Sequence, residues 1–439
     1  MDLIIENIRS FAGRHILPLK PLTVLTGENS SGKSTLLGVL SVICDKEQYP
    51  LQPAFNKSPY SMGSFDTIAT YKGGSFGRSK HFVLGCQLPK RAKEGPEKIE
   101  ATYRSNLGKV EIAKIEYQGS KMSVFVDFFE ESKDGIFGMI DILIDNNEFC
   151  FPIIEKLHLH QMKGVGFYNF VAQHIWQKFF KRREKEVQLR DKDRLVVDSV
   201  FSQLRRFEMQ LPRAISLAPI RTKPDRTYSE IMDVFQPEGD HIPFVLDRFE
   251  QGEYSRQEKD FVHQALSSFG QESGLFSEIS VKKLGKKASS PFQIVVKGIG
   301  RPANLVDVGY GVSQALPIII QTAMSPRGTF LLVQQPEVHL HPRAQAALGT
   351  FFSYIASLGR VNLVIETHSD YIIDRIRQSI AKGNLKLNNF SLIFMSRDGP
   401  VSTIHNIKLD SNANIIDPPP CYREFFLSEE LNILRRADY

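Results

Sequence analysis

Buried-looking apolar runs alternate along this chain with segments of two other periods. Leu22-Thr23-Val24-Leu25-Thr26, Leu331-Leu332-Val333 and Val361-Asn362-Leu363-Val364-Ile365 predict strands within a core. Residues 3–8 and 15–19 read as two strands around the turn Ser10-Phe11-Ala12-Gly13, an antiparallel entry to the strand at 22–26. Residues 34–40 are helix-like, and 49–77 are loop-rich. From 81 to 154 short alternating segments such as Phe82-Val83-Leu84 and Ser123-Val124-Phe125-Val126 are separated by Gly, Asn and Lys/Asp turns, which predicts an antiparallel sheet. Helical spacing follows over 164–209 and 241–269, then a hairpin with strands 278–284 and 292–297. Beyond Gly298 strands and helices alternate again. The expected organisation is 1–154, half of a core with an antiparallel subdomain; 155–297, a mainly helical insertion; and 298–439, the other half of the core.

Composition adds bounds rather than a function. At 439 residues the chain exceeds the size at which one core stops growing. Its four cysteines, Cys44, Cys86, Cys150 and Cys421, lie far apart without a C-x-x-C pair, against a structural zinc site or disulfide framework and in keeping with a reducing cytoplasm. No apolar stretch of about 18 residues occurs, so no membrane span is expected. A net charge of +6 permits nucleic-acid contact without requiring it. The runs at 181–186 and 190–194 mix signs, as a solvated helix face does, and the hairpin tip Gly285-Lys286-Lys287-Ala288-Ser289-Ser290 is basic.

The chemistry concentrates in Gly27-Glu28-Asn29-Ser30-Ser31-Gly32-Lys33-Ser34, which follows the first buried strand and opens a helix that continues with Thr35. This G-x-x-x-x-G-K-S spacing predicts a phosphate cradle. Glycines let loop N–H groups face the phosphates, and the helix N-terminus favours negative charge. Lys33 would reach the β- and γ-phosphates of ATP, and the Ser34 hydroxyl would hold Mg²⁺.

Ile8-Arg9-Ser10-Phe11, the cradle and three later motifs together resemble the ATP-binding-cassette-type heads of OLD and SMC-related AAA ATPases. The resemblance implies an α/β P-loop head. Asp307-Val308-Gly309-Tyr310-Gly311-Val312-Ser313-Gln314 resembles the signature of these heads, which implies that Gly309, Gly311, Ser313 and Gln314 meet the γ-phosphate held by a second subunit. Leu331-Leu332-Val333-Gln334-Gln335-Pro336-Glu337-Val338-His339-Leu340-His341-Pro342 is similar to the extended Walker B segment. There the position of Gln334 is usually acidic and acts on the Mg²⁺ shell, and that of Gln335 is often a glutamate that orients or deprotonates water. Amides hydrogen-bond but take no proton near neutral pH, and losing a general base removes about a hundredfold to ten-thousandfold in rate. ATP binding should therefore survive better than turnover. The glutamines fit a natural variation compensated by Glu337 or another group, an inactive member, or an engineered trap.

Val364-Ile365-Glu366-Thr367-His368-Ser369-Asp370 resembles the switch segment, which implies that His368 senses the γ-phosphate. Ala218-Pro219-Ile220-Arg221-Thr222-Lys223-Pro224-Asp225-Arg226 resembles a further loop of these ATPases, whose Arg221 and Arg226 would meet phosphate or carboxylates or form surface ion pairs. The pairs His158/His160 and His339/His341 could ligate metal but lack a clear third ligand.

Cradle and signature on opposite edges of one head imply a two-fold homodimer, or a higher oligomer, with ATP sandwiched between chains. The 70 or so residues after His368 leave no room for the Toprim nuclease domain of OLD proteins. A separate effector subunit, nuclease or toxin, is then expected, as for standalone heads of anti-phage systems. The alternative is an SMC- or RecF-like DNA-repair clamp, for which long heptad arms are not visible.

Overall fold

The computed structural model describes all residues except 75–76, 90–95, 121, 133–134, 145–146, 156–165, 181–190, 230–231, 233, 299 and 423–439. The first His pair, the charged run at 181–186 and the helix-like tail at 423–436 lie outside the described residues.

The chain begins with β1 (Asp2–Ile8), β2 (Phe11–Pro18), β3 (Leu22–Gly27), α1 (Lys33–Ile43) and α2 (Phe65–Ile68). Next come β4 (His81–Leu88), β5 (Glu97–Asn106), β6 (Lys109–Gln118), β7 (Met122–Ser132), β8 (Gly135–Ile144) and β9 (Asn147–Glu155). The middle holds α3 (Phe167–Phe180), α4 (Asp191–Gln210), β10 (Ala214–Leu217), α5 (Ile242–Gln251), α6 (Arg256–Ser273), β11 (Glu278–Lys283), β12 (Phe292–Lys297) and β13 (Ala303–Asn304). The last part contains α7 (Tyr310–Met324), β14 (Phe330–Gln334), α8 (Pro342–Ser357), β15 (Asn362–Glu366), α9 (Asp370–Ala381), β16 (Phe390–Asp398), β17 (Val401–Leu409) and β18 (Ile415–Ile416). They form two units, one of Met1–Leu19, Ser34–Ala214 and Arg397–Ser402, the other of Lys20–Lys33, Ile215–Ser396 and the residues from Thr403.

The first unit is built on an eight-stranded sheet of order β2-β1-β4-β5-β6-β7-β8-β9. Alternation places Ile99, Ala101 and Tyr103 of β5 inside, and the matching face of β6 carries Ile112, Ile115 and Tyr117. The apolar period of β6 slips at Ala113, where the register with β5 shifts between Thr102 and Tyr103, so a bulge keeps both segments on the buried face. Phe55, Phe65 and Tyr103 pack around Phe82 with ring centroids 5.2–5.7 Å apart. The hairpin at the start of the chain belongs to this sheet, with Ile4 opposite Ile16 on one side and Gly85 on the other. It therefore does not lead into the sheet of β3, as the sequence suggested. Leu3, Ile4 and Ile5 are all buried, which suits a strand covered by neighbours on both sides.

The second unit is built on a seven-stranded sheet of order β10-β14-β15-β3-β16-β17-β18. Its centre, β14, β15, β3 and β16, is parallel, as the uninterrupted apolar runs require of strands buried on both faces. The helical stretch at 241–269 is two helices. Gly252 at φ 78° ends α5, and Ser255 caps α6 in a reciprocal capping box with Glu258. The segment 155–297 is shared, α3 and α4 belonging to the first unit and α5, α6, β11 and β12 to the second. The fold is α/β, with a P-loop strand in a parallel sheet and a separate antiparallel sheet, as expected.

Candidate active site

In parallel α/β sheets, ligands bind outside the carboxyl ends of the strands. At that end of β3 the chain turns sharply. Gly27 has φ 134°, and a Cβ there would lie 2.0 Å from the carbonyl oxygen of Met395 on β16. Glu28 N–H donates to the same oxygen at 3.1 Å. Ser30 and Gly32 also have positive φ, 60° and 99°. Such a path is open to few side chains. Glu28, Asn29 and Ser30 are exposed, whereas the Ser31 hydroxyl donates back to the Glu28 carbonyl at 2.8 Å.

Lys33 is 4% exposed, and its ammonium donates to the carbonyls of Gly27 and Glu28 at 3.0 and 2.5 Å. Burial holds its pKa below the ordinary lysine value, against the opposing charges of Glu366, Glu28 and Glu337. Ser34 and Thr35 continue α1. Thr35 Oγ1 accepts from Arg9 at 3.2 Å, and Arg9 also donates to the Ser61 and Met62 carbonyls, so the Ile8-Arg9 motif fixes the first turn of that helix.

β14 and β15 run in register, Gln334 opposite Glu366. The Gln334 side-chain amide donates to Glu366 Oε2 at 3.4 Å, and the Gln334 backbone carbonyl accepts from Arg221 Nη2 at 3.2 Å. Gln335 takes the left-handed conformation at φ 39° and donates its N–H to the Glu366 carbonyl at 2.8 Å. Left-handed backbone at a long side chain is uncommon and occurs where surrounding contacts over-determine it. Glu337 accepts from the Thr367 hydroxyl and from the His368 N–H, each at 2.8 Å. Burial raises the Glu337 pKa, while those bonds and Arg221 oppose the rise. His368 is held below the ordinary imidazole value by burial and then by the charge of Lys33. Lys33 of the cradle, the amide-capped strand and His368 thus share one electrostatic neighbourhood.

Sequence reasoning missed one residue here and left another open. Glu366 is 4% exposed and faces both Gln334 and the Lys33 charge. A carboxylate closing an apolar strand was the available signal. Arg221 is buried rather than a surface ion-pair partner, with its pKa pushed down to about 10 by burial, whereas Arg226 is exposed and pairs with Asp307 at 2.5 and 2.9 Å.

The turn Gly309-Tyr310-Gly311 opens α7, with Gly309 and Tyr310 exposed. Ser313 and Gln314 are buried, and the Ser313 hydroxyl donates to the Tyr310 carbonyl at 2.8 Å. The Tyr310 ring meets the His339 ring edge-on at 5.1 Å, so this turn adjoins the extension after β14. His341 caps α8 by accepting from the Arg343 N–H at 3.3 Å, a structural task. Among the described residues no group of three or more His, Cys, Asp or Glu side chains could hold a metal ion by itself. None of their helices is long and apolar enough to cross a membrane.

The chain belongs to the AAA ATPase domain family AAA_15, whose profile matches residues 1–373. No curated protein matches it. Among solved structures it is similar to an Smc head bound to the C-winged helix domain of ScpA, with 11% identity, TM-score 0.45, and coverage of 93% of this chain and 97% of that one. An Smc head with an extended coiled coil, bound to the C-terminal domain of ScpA derived from Pyrococcus furiosus, has 11% identity, TM-score 0.41, and coverage of 100% and 99%. The SMC head domain from Thermotoga maritima has 11% identity, TM-score 0.36, and coverage of 93% and 98%.

Proposed function

We propose that this chain binds ATP with Mg²⁺, closes as a two-fold dimer around the nucleotide, and through slow hydrolysis controls a separate nuclease or toxin subunit in anti-phage defence. The observation that supports the nucleotide reading is the meeting of Lys33, Gln334, Glu366, Glu337 and His368 in one polar cluster, its first three members buried, beside a glycine-dependent loop. The loop suits phosphate. Its backbone path excludes a Cβ at Gly27, and the Lys33 ammonium now rests on neutral loop carbonyls that a phosphate anion would outcompete.

In this reading the loop of Gly27, Glu28, Asn29, Ser30, Ser31 and Gly32 wraps the β- and γ-phosphates, Lys33 neutralises them, and Thr35 continues the helix start. Ser34 and Gln334 would hold Mg²⁺, which offsets charge on the phosphate oxygens when bound. Gln335 orients water but accepts no proton, which slows turnover. His368, kept neutral at pH 7, offers the γ-phosphate a hydrogen bond. The signature turn supplies Gly309 and Gly311 to the partner's nucleotide. With Ser313 and Gln314 buried, Gly309 and Tyr310 are the side met first.

The effector role rests on the resemblance of the motif series to standalone defence ATPases. Copurification from the native host tests it, with a nuclease or toxin subunit as the expected companion. Retention of DNA in an ATP- and salt-dependent manner without such a subunit would instead favour the SMC- or RecF-like clamp. Sedimentation with and without ATP tests closure, and a chain that stays monomeric in both would remove the dimer reading.

A further inference from the structure

We propose that Glu366, at the end of β15, supplies the carboxylate of the Mg²⁺ site that β14 lacks. The inference rests on the ATP reading above and names the residue that makes metal binding possible within it. Because β14 and β15 are parallel and in register, Gln334 and Glu366 are lateral neighbours at the carboxyl end of the sheet. Their side chains meet at 3.4 Å, so a carboxylate stands one side chain away from where an acidic β14 would place it.

The charge arrangement agrees. A carboxylate 4% exposed is costly in a core unless cations or donors face it. Glu366 accepts from the Gln334 amide and lies within reach of the Lys33 charge, while the Lys33 ammonium donates to the Gly27 and Glu28 carbonyls. A nucleotide that draws Lys33 onto its phosphates would bring a cation site to the side of β14 on which Glu366 stands. Mg²⁺ is bound in such sites through one or two carboxylates plus phosphate oxygens and waters, and a neutral amide is a weaker ligand for a hard cation. Gln334, donating its NH₂ to Glu366, then serves as a positioning residue that fixes the carboxylate and keeps its own amide oxygen as an acceptor for a metal-bound water.

The test is equilibrium binding of a fluorescent ATP analogue to the full chain in Mg²⁺ and in EDTA, with electron paramagnetic resonance of Mn²⁺ as a second readout of the metal. The unmodified chain should bind more tightly in Mg²⁺. Glu366→Gln should bind as well in EDTA but lose about tenfold or more of the Mg²⁺ enhancement and the nucleotide-dependent Mn²⁺ signal. The exchange Gln334→Glu with Glu366→Gln, which keeps composition and charge while moving the carboxylate across the strand pair, should restore both; it also covers the case in which Glu366→Gln alone folds poorly. Undiminished Mg²⁺ enhancement in folded Glu366→Gln, or its absence in the exchanged pair, overturns the assignment. Failure of the unmodified chain to bind the analogue in either buffer would sink the ATP reading instead, a distinguishable result.

Discussion

Glu337 accepts the His368 N–H with one carboxylate oxygen and the Thr367 hydroxyl with the other, each at 2.8 Å. The turn after β14 is thereby tied to the turn after β15, and His368 is positioned through its backbone. Glu337→Ala leaves two donors without their acceptor and should cost about 1–3 kcal/mol, while Glu337→Gln, which keeps one carbonyl acceptor, should cost less than half of that. Urea unfolding of both variants checks the order; equal midpoints for all three proteins would show that the tie contributes nothing.

The same pair gives opposite pH signatures. The His368 pKa is lowered on folding, so the folded state prefers neutral imidazole; its contribution is complete above the ordinary value of 6.5 and is lost as pH falls through the folded value. The Glu337 pKa is raised by burial, so its effect on stability declines as pH rises from 4.5 through the folded value, where the buried carboxylate ionises. Lys33→Met should move the His368 imidazole titration upward in NMR because it removes a repelling charge. An unchanged His368 titration would separate the two residues electrostatically.

How much of this was legible in the sequence depended on whether a contact follows from local spacing. The cradle, β3 and α1 follow from glycine and apolar spacing, and the hairpin of β11 and β12 from alternation and its turn. Gln334 and His368 were found as motif positions. The Gln334–Glu366 contact was not, because it depends on which strands pair and in which register, and nothing within either segment specifies that. Arg221 stayed open between phosphate, carboxylate and surface pairing for a related reason: nothing within its Pro-rich loop specifies that its guanidinium reaches the Gln334 backbone carbonyl.

Gly27 is the most restrictive position of the loop. Gly27→Ala must place a Cβ 2.0 Å from the Met395 oxygen at φ 134°, so either the loop leaves β16 or the backbone changes region. The strain alone is about 1–3 kcal/mol, and nucleotide affinity should fall with it because the loop loses its path. Gly13, at φ 76° with nothing within 4 Å of an added Cβ, is the control for backbone strain without crowding. Gly27→Ala should lose ATP-analogue binding and Gly13→Ala should retain it; equal binding by both would remove the crowding argument.

Arg221 carries a buried charge with little hydrogen bonding. Nη2 reaches the Gln334 carbonyl, while Nε and Nη1 have no protein acceptor among the described residues. Arg221→Met, of similar length and no charge, should therefore cost less than the roughly 3–5 kcal/mol typical of breaking a buried ion pair. Its functional effect should be larger than its effect on stability, because the end of β14 loses its anchor next to Gln335. Denaturant unfolding and phosphate release measured together decide it. A large loss of stability with unchanged turnover would reverse the assignment.

The two glutamines separate by position. Gln335→Glu introduces a proton acceptor at the turn where the resemblance puts a general base, and phosphate release should rise by about a hundredfold or more, with ATP-analogue binding little changed. Gln334→Glu instead brings a second carboxylate toward Glu366, at a position where the present amide donor is 3.4 Å from its oxygen. Two like charges at that range disfavour joint ionisation, so this variant should melt at a lower temperature than the unmodified chain in EDTA and recover when ATP and Mg²⁺ are added. Gln335→Glu should show no such metal-dependent recovery, since its backbone rather than its side chain is tied to Glu366. Phosphate release that stays at background in both variants would remove the proposal that the glutamines slow turnover by denying it a base.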